Sequence, residues 1–227
     1  AGLSAVNQAL SQHSTTTFFG ATVWSAYAAQ PLASYLELDQ VHRRFGAGSG
    51  TVAVIDTGVD PSHPALRDAL LPGADSVNNR TDTASETGDL DPLNQGVINP
   101  STTSILDFAP TGAGPLPGLR WGFWNFENYG FINSASLPQA YGHGTMVAGL
   151  VHLTAPGAKI LPIKAIDGQG RGSVFQVVRS IYHALDHGAR VINMSFGFSA
   201  HAEALMLAVS EATERGIVCV ASAGTEG

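Results

Sequence analysis

Short apolar runs alternate with helical patterns from Gly50 to the end of the chain, and this alternation constrains the fold more than any other feature. Apolar runs predict buried strands, and apolar residues at three- and four-residue offsets predict helices that pack on them. The predicted strands are 51–55, 160–165, 191–194 and 217–221, and the predicted helices begin near Gly144 or cover 174–185 and 202–215. Strands separated by helices form βαβ units. We therefore predict an α/β fold, a doubly wound, mostly parallel sheet with helices on both faces.

Polar and small residues follow three of the predicted strands. Asp56 follows the first, Ser195-Phe196-Gly197 the third, and Ser222-Ala223-Gly224 the last. Functional groups of open α/β sheets gather at the carboxyl ends of the strands. These segments are therefore predicted to share one edge of the sheet and to form a site there.

Two segments carry residue types that suit acid–base chemistry. Asp56 lies in Val-Ile-Asp-Thr-Gly, and His143 lies between glycines in Gly-His-Gly-Thr-Met-Val-Ala-Gly. An aspartate that orients a histidine, and a histidine that takes a proton from a nucleophile, are two members of a serine-hydrolase triad. Aspartic proteases also use Asp-Thr-Gly, but they need two carboxylates that share a proton. The single copy here, in an α/β chain, argues against that class.

Both segments resemble those of the subtilisin-like serine proteases (the subtilase family, peptidase S8). In that family an Asp-Thr-Gly strand end and a His-Gly-Thr helix start carry these roles. The resemblance implies a subtilisin-like fold and serine endopeptidase activity by acyl transfer, with Asp56 and His143 as catalytic residues. The family's serine, in a Gly-Thr-Ser-Met-Ala type of segment, does not occur in these 227 residues. We therefore expect a chain truncated before its catalytic serine and inactive alone.

Three further segments resemble substrate-binding parts of the family. Residues 193–197 are similar to Asn-Met-Ser-Leu-Gly, which lines the pocket before the scissile bond, and residues 167–172 resemble an edge that pairs with substrate. Residues 222–227 resemble Ala-Ala-Gly-Asn-Glu-Gly, with Thr225 at the oxyanion donor's position. Losing that donor costs about 10²–10³ in turnover, a figure measured on subtilisin itself. The implied substrate-binding residues are Gly168, Gln169, Gly170, Ser195, Phe196, Gly197, Ser222, Ala223 and Gly224.

Two other functions stay open. A catalytically inactive relative that binds peptides or partner proteins in the cleft fits the missing serine and the threonine at position 225. A nucleotide-binding α/β domain would need a phosphate loop, but residues 168–172 lack both the Gly-x-Gly-x-x-Gly spacing and a following Lys-Ser/Thr. The serine endopeptidase is therefore the favoured hypothesis, and the inactive binding domain is the alternative.

Composition restricts the partners and the compartment. The net charge is −7, and Lys159 and Lys164 are the only lysines, so no basic stripe exists to bind nucleic acid. The sequence has no apolar stretch of about 18 residues that would predict a membrane span. The single Cys219 excludes an internal disulfide framework. Few lysines and 26 glycines are typical of secreted bacterial enzymes. We predict a secreted or extracytoplasmic protein that acts on a polypeptide substrate.

Two regions fall outside the regular pattern. Residues 1–49 are predicted to be an N-terminal arm or pro-segment remnant with a lead-in helix over 34–45, and residues 50–227 an incomplete catalytic domain. The 87 positions between Asp56 and His143 exceed the family's usual interval, which predicts an insertion over about 75–118, followed by a strand near 121–126. Calcium is common in the family, but the carboxylates of 75–91 match no defined calcium loop. We therefore predict no metal site and no required cofactor.

Overall fold

The computed structural model describes residues 14–89, 138, 140–198 and 201–223. Within these ranges the strands are β1 (Thr15–Phe18), β2 (Ala21–Trp24), β3 (Thr51–Asp56), β4 (Ala74–Asp75), β5 (Lys159–Lys164), β6 (Val191–Met194) and β7 (Val218–Ala221). The α-helices of the same ranges are α1 (Ser25–Ala28), α2 (Pro31–Tyr35), α3 (Leu38–Phe45), α4 (His143–Thr154), α5 (Val174–Asp186) and α6 (Glu203–Glu214). None of these helices is both long and apolar enough to cross a membrane. The strand predicted near 121–126 lies outside the described residues.

A five-stranded parallel sheet forms the centre of the molecule. Its strand order is β4-β5-β3-β6-β7. The central strand β3 pairs with β5 from Thr51 opposite Lys159, and with β6 from Val52 opposite Val191. The predicted parallel sheet is confirmed, and each predicted strand lies within one residue of its observed bounds. The short edge strand β4 was not predicted, because two residues carry no periodicity.

Helices cover both faces of this sheet. Ala53 and Ile55 of β3 point into a core formed with α5 and α6. Val54 points to the opposite face, where it packs with Ala148 of α4. This alternation follows from the two-residue period of a strand, and both faces are apolar because both are covered. The doubly wound α/β fold is confirmed.

Local capping fixes the ends of α5. The Ser173 hydroxyl accepts a hydrogen bond from the Gln176 N–H at 3.2 Å, and the Gln176 side chain accepts one from the Ser173 N–H at 2.7 Å. This reciprocal capping box satisfies two N–H groups that a helix start leaves without partners. After the helix, Gly188 takes the left-handed conformation, with φ of 71°, and turns the chain towards β6.

Residues 14–45 form a hairpin and three short helices that pack on the body. β1 and β2 pair antiparallel, and the Tyr27 hydroxyl donates to the Gly149 carbonyl of α4 at 2.9 Å. The predicted helix over 34–45 is wrong at its start, because Glu37 adopts the left-handed conformation, with φ of 51°, and separates α2 from α3. The buried residues of this cluster are Val23, Tyr27, Leu38, Ala65 and Leu153.

Candidate active site

Asp56 is the last residue of β3, at the carboxyl edge of the sheet. Its side chain is 1% exposed. Its Oδ1 atom accepts hydrogen bonds from the Thr57 N–H and from Nδ1 of His143, each at 2.7 Å. Its Oδ2 atom is buried and has no hydrogen-bond partner among the residues that the structure describes. The carboxylate is therefore held in one orientation through Oδ1.

Glycines allow the start of α4 to approach the end of β3. Gly142 caps the helix in the left-handed conformation, with φ of 84°, and His143 is the first helical residue. A Cβ atom on Gly144 would lie 2.0 Å from the carbonyl oxygen of Gly58 and 3.2 Å from Cβ of Asp56. Any larger residue at position 144 would therefore push the helix away from the strand. The approach brings the imidazole of His143 within reach of Asp56.

The imidazole of His143 lies between the buried carboxylate and solvent. Its side chain is 40% exposed, in contrast to the buried Asp56. The hydrogen bond that His143 donates to Asp56 is the main reason that the pKa of His143 is raised, although partial burial of the ring opposes the shift. If Nδ1 carries the proton that Asp56 accepts, Nε2 is left with a free lone pair. The pair can therefore accept a proton at Nε2 and stabilise the imidazolium that forms.

A buried glutamate lies directly behind this pair. Glu86 is 2% exposed. Its Oε2 atom accepts from the Gly142 N–H at 2.9 Å and from the Thr57 hydroxyl at 3.3 Å, and its Oε1 atom accepts from the Thr145 hydroxyl. Burial is the main cause that raises the pKa of Glu86 to about 8. Glu86 was not predicted as a site residue, because it falls in the insertion predicted over 75–118.

A buried lysine supports the backbone next to Asp56. Lys164 ends β5 and is 1% exposed. Its Nζ atom donates to the Thr57 carbonyl at 2.7 Å, to the Ile166 carbonyl at 3.2 Å and to Oδ2 of Asp89 at 2.5 Å. The ion pair with Asp89 compensates the ammonium charge, which would otherwise make burial costly. Lys164 thereby ties two residues of the connection from β3 to α4, Thr57 and Asp89, to the end of β5.

Two of the predicted substrate-binding segments lie side by side after β6 and β7. The Ser222 hydroxyl donates to the Phe196 carbonyl at 3.0 Å, and the Asn193 amide donates to the Ser195 hydroxyl at 2.9 Å. Ala223 and Gly197 are exposed at the same edge. The remaining predicted residues of this wall, Gly224 and the oxyanion candidate Thr225, lie outside the described residues.

The third predicted segment follows β5 and is only partly open. Gly168 is buried, and a Cβ atom there would lie 2.9 Å from Cβ of Pro138 and 3.0 Å from Cβ of Asp89. Gln169 and Gly170 are exposed. Gly168 is therefore packed against its neighbours, while the two residues after it are exposed to solvent.

The carboxylate of Asp75, at the end of β4, is engaged in protein hydrogen bonds. Asp75 accepts from the N–H groups of Val77 and Asn78, both at 2.9 Å, which forms a turn after β4. Among the described residues, no group of three or more histidines, cysteines, aspartates and glutamates is arranged to hold a metal ion.

Comparison with known proteins identifies the family. The model of the subtilase family, peptidase S8, matches residues 48–227. The chain belongs to the subtilase family. The matched region includes both Asp56 and His143, and most of the N-terminal segment 1–49 precedes it.

Characterised relatives of this subtilase are proteases that are longer than the chain. It is 30% identical over 182 residues to the thermophilic serine proteinase of Bacillus sp. (strain AK1), which covers 80% of this chain and 34% of the relative. It is 36% identical over 123 residues to thermitase of Thermoactinomyces vulgaris, which covers 49% of this chain and 42% of thermitase. Among solved structures, a cold-adapted subtilisin-like serine proteinase matches with a TM-score of 0.49 and 21% identity, over 78% of this chain and 46% of that one. This chain therefore spans less than half the length of each of these three relatives.

Proposed function

We propose that this subtilase chain carries the carboxylate and the base of a serine endopeptidase whose nucleophilic serine lies outside these 227 residues. The observation that carries the proposal is the 2.7 Å contact between Oδ1 of the buried Asp56 and Nδ1 of the half-exposed His143. A buried carboxylate behind an accessible imidazole suits proton transfer to and from a substrate.

In the proposed reaction, the serine hydroxyl attacks a peptide carbonyl and His143 accepts its proton at Nε2. Asp56 holds the ring and stabilises the imidazolium. His143 then protonates the leaving amine, which breaks the peptide bond and leaves an acyl-enzyme. A water molecule attacks the acyl group, gives its proton to His143 and releases the serine. Each proton that His143 accepts is returned, so the cycle needs no co-reactant besides water.

Substrate would bind as an extended polypeptide along the carboxyl edge of the sheet. We assign its walls to the exposed residues Gln169 and Gly170 on one side, and to the segments 195–197 and 222–224 on the other. The oxyanion role of Thr225 and a secreted or extracytoplasmic location complete the proposal. The location is supported by the low lysine content.

The test uses the full-length polypeptide from its natural source and a fluorophosphonate that labels activated serines. We expect labelling, cleavage of casein, and a labelled peptide that maps outside the 227 residues. Asp56→Asn should lower kcat by on the order of 10⁴-fold, because the ring loses its fixed tautomer. His143→Ala should abolish labelling, whereas His187→Ala, at an exposed histidine beyond α5, should not change it.

Two results would overturn the proposal. Absence of both labelling and casein cleavage in the full-length protein would favour the peptide-binding alternative. A labelled serine within the 227 residues would show that the nucleophile belongs to this chain.

A further inference from the structure

The Glu86 carboxyl joins the two segments that carry the Asp–His pair. On one side it accepts the Thr57 hydroxyl, from the residue that follows β3. On the other it accepts the Gly142 N–H and the Thr145 hydroxyl, which lie on either side of the first residue of α4. One side chain therefore contacts three donors from two elements that are far apart in sequence.

The hydroxyl protons in this network have a defined direction. The Thr57 hydroxyl oxygen accepts from the Gly144 N–H at 3.0 Å, and the Thr145 hydroxyl oxygen accepts from the Asp60 N–H at 2.8 Å. Each hydroxyl therefore uses its oxygen for a backbone donor and has its proton available for Glu86. A side chain with two acceptor oxygens at this point satisfies all three donors at once.

Burial makes this arrangement costly for stability. A carboxyl group without access to water is retained at a large desolvation cost, and an apolar residue of similar volume would often stabilise a fold more. The raised pKa of Glu86 is a direct sign of that cost. Lys164 lies close enough to oppose the shift, but it forms its ion pair with Asp89 instead. Glu86 bonds the segments that carry Asp56 and His143, so a role at the site would account for a buried carboxyl that stability alone does not favour.

We propose that Glu86 is a positioning residue that sets the distance between Asp56 and His143. It touches neither the substrate path nor the reacting atoms, and it acts through the neighbours of the pair. This inference rests on the proposed protease function for its kinetic consequence, but its structural consequence holds without it. Removing the carboxyl would free the start of α4 to move relative to β3, and the contact between the two side chains would lengthen.

The test compares Glu86→Ala with Glu86→Gln by two measurements. One is the downfield NMR resonance of the His143 Nδ1 proton, which reports its hydrogen bond to Asp56 in this chain without any catalysis. The other is kcat and KM of the full-length protein on a peptide substrate. E86A should shift or remove the resonance and lower kcat by about 10²-fold with little change in KM, because misplacement of about 1 Å has that effect. E86Q should keep most of the resonance and most of kcat. The glutamine oxygen can accept from the Gly142 N–H and the Thr57 hydroxyl, and its amide can donate to the Thr145 hydroxyl oxygen.

A matched control separates positioning from lost stability. Ser180 is also fully buried, and its hydroxyl bonds the Ser76 hydroxyl at 2.8 Å and the Gln176 carbonyl at 2.7 Å. Ser180→Ala removes a buried hydrogen-bonding group from the interface between α5 and the sheet. It should lower Tm without moving the His143 resonance or kcat.

A second pair of variants keeps the test decisive if E86A fails to fold. Thr145→Val removes the hydroxyl that contacts Glu86 and keeps the shape, whereas Thr145→Ser keeps the hydroxyl. T145V should weaken the resonance and T145S should preserve it. An unchanged His143 resonance in E86A, or in T145V where E86A does not fold, overturns the inference. Loss of the resonance in a full-length protein that shows no protease activity would support the positioning role and refute the proposed function alone.

Discussion

Acidification is expected to destabilise the chain through His63, a buried histidine in the loop after β3. His63 is 4% exposed, and its Nδ1 atom accepts a hydrogen bond from the Ala65 N–H at 3.2 Å. Burial is the main cause that lowers its pKa from 6.5 to about 4, and the neighbouring His152 adds to the effect. The folded chain therefore holds this imidazole neutral at a pH where an unfolded chain protonates it.

The size of the effect follows from these two pKa values. The difference between 6.5 in the unfolded chain and about 4 in the folded chain corresponds to about 3 kcal/mol of unfolding free energy. Since the folded pKa of His63 is the lower one, the unfolded state takes up the proton first as the pH falls. The full contribution is present above pH 6.5, and it is lost progressively down to about pH 4.

The perturbation is His63→Asn, because the Asn side-chain oxygen can replace Nδ1 as an acceptor and cannot be protonated. Urea unfolding at pH 7 and pH 4 gives the free energy of each protein. From pH 7 to pH 4, the unfolding free energy of wild type should fall by about 3 kcal/mol more than that of H63N. Other groups with shifted pKa values, such as Asp60 and Glu86, are common to both proteins and largely cancel in the difference. The exposed His201 provides a control, and H201N should follow wild type. Equal losses in wild type and H63N would refute the reasoning.

Two further predictions concern packing at the site and at the N-terminal hairpin. Gly144→Ala places a methyl group 2.0 Å from the Gly58 carbonyl oxygen. The overpacking cost of about 1–3 kcal/mol should outweigh the gain of about 1 kcal/mol from alanine in a helix, so Tm should fall in a thermal melt. Tyr27→Phe removes the buried hydroxyl that donates to α4, and should lower the unfolding free energy in urea by about 1 kcal/mol.

Each of these substitutions has a matched control. Gly88→Ala adds the same methyl group where nothing lies within 4 Å, so its Tm should stay at the wild-type value. Tyr35 is 85% exposed, and Tyr35→Phe should leave the unfolding free energy unchanged. A melt of G144A equal to that of G88A would mean that the helix start and the strand end are not in tight contact. A stable Y27F would mean that the hydroxyl bond contributes nothing to docking of the hairpin.

The sequence predicted the sheet because its strands have a strong local signal. β3 and β5 contain the apolar runs 52–55 and 160–163, as expected of strands buried on both faces. The position of Asp56 at a strand end followed from the same pattern. The meeting of Asp56 with His143, which begins a helix, was implied by the resemblance of the two motifs to those of a known family.

The features that the sequence did not predict depend on contacts between distant residues. Glu86 lies in a segment rich in Ser, Thr, Gly and Asp, and its burial depends on donors from β3 and α4 rather than on its own neighbours. The buried role of Lys164 is hidden for the same reason, since its partner Asp89 is 75 residues away. In the hairpin, Phe19 has φ of 45°, a conformation that phenylalanine rarely adopts and that no turn signal indicated.

The central position of β3 has a consequence for how the molecule forms. Thr51 pairs with Lys159 and Val52 with Val191, so each partner of the strand is more than 100 residues away along the chain. Closing a long loop costs chain entropy before the strand pairs can offset it. Proteins dominated by pairings between distant residues therefore fold slowly. α4 lies within the connection from β3 to β5, so the His143 imidazole reaches Asp56 only when that crossover closes. The site is therefore expected to assemble together with the sheet, late in folding.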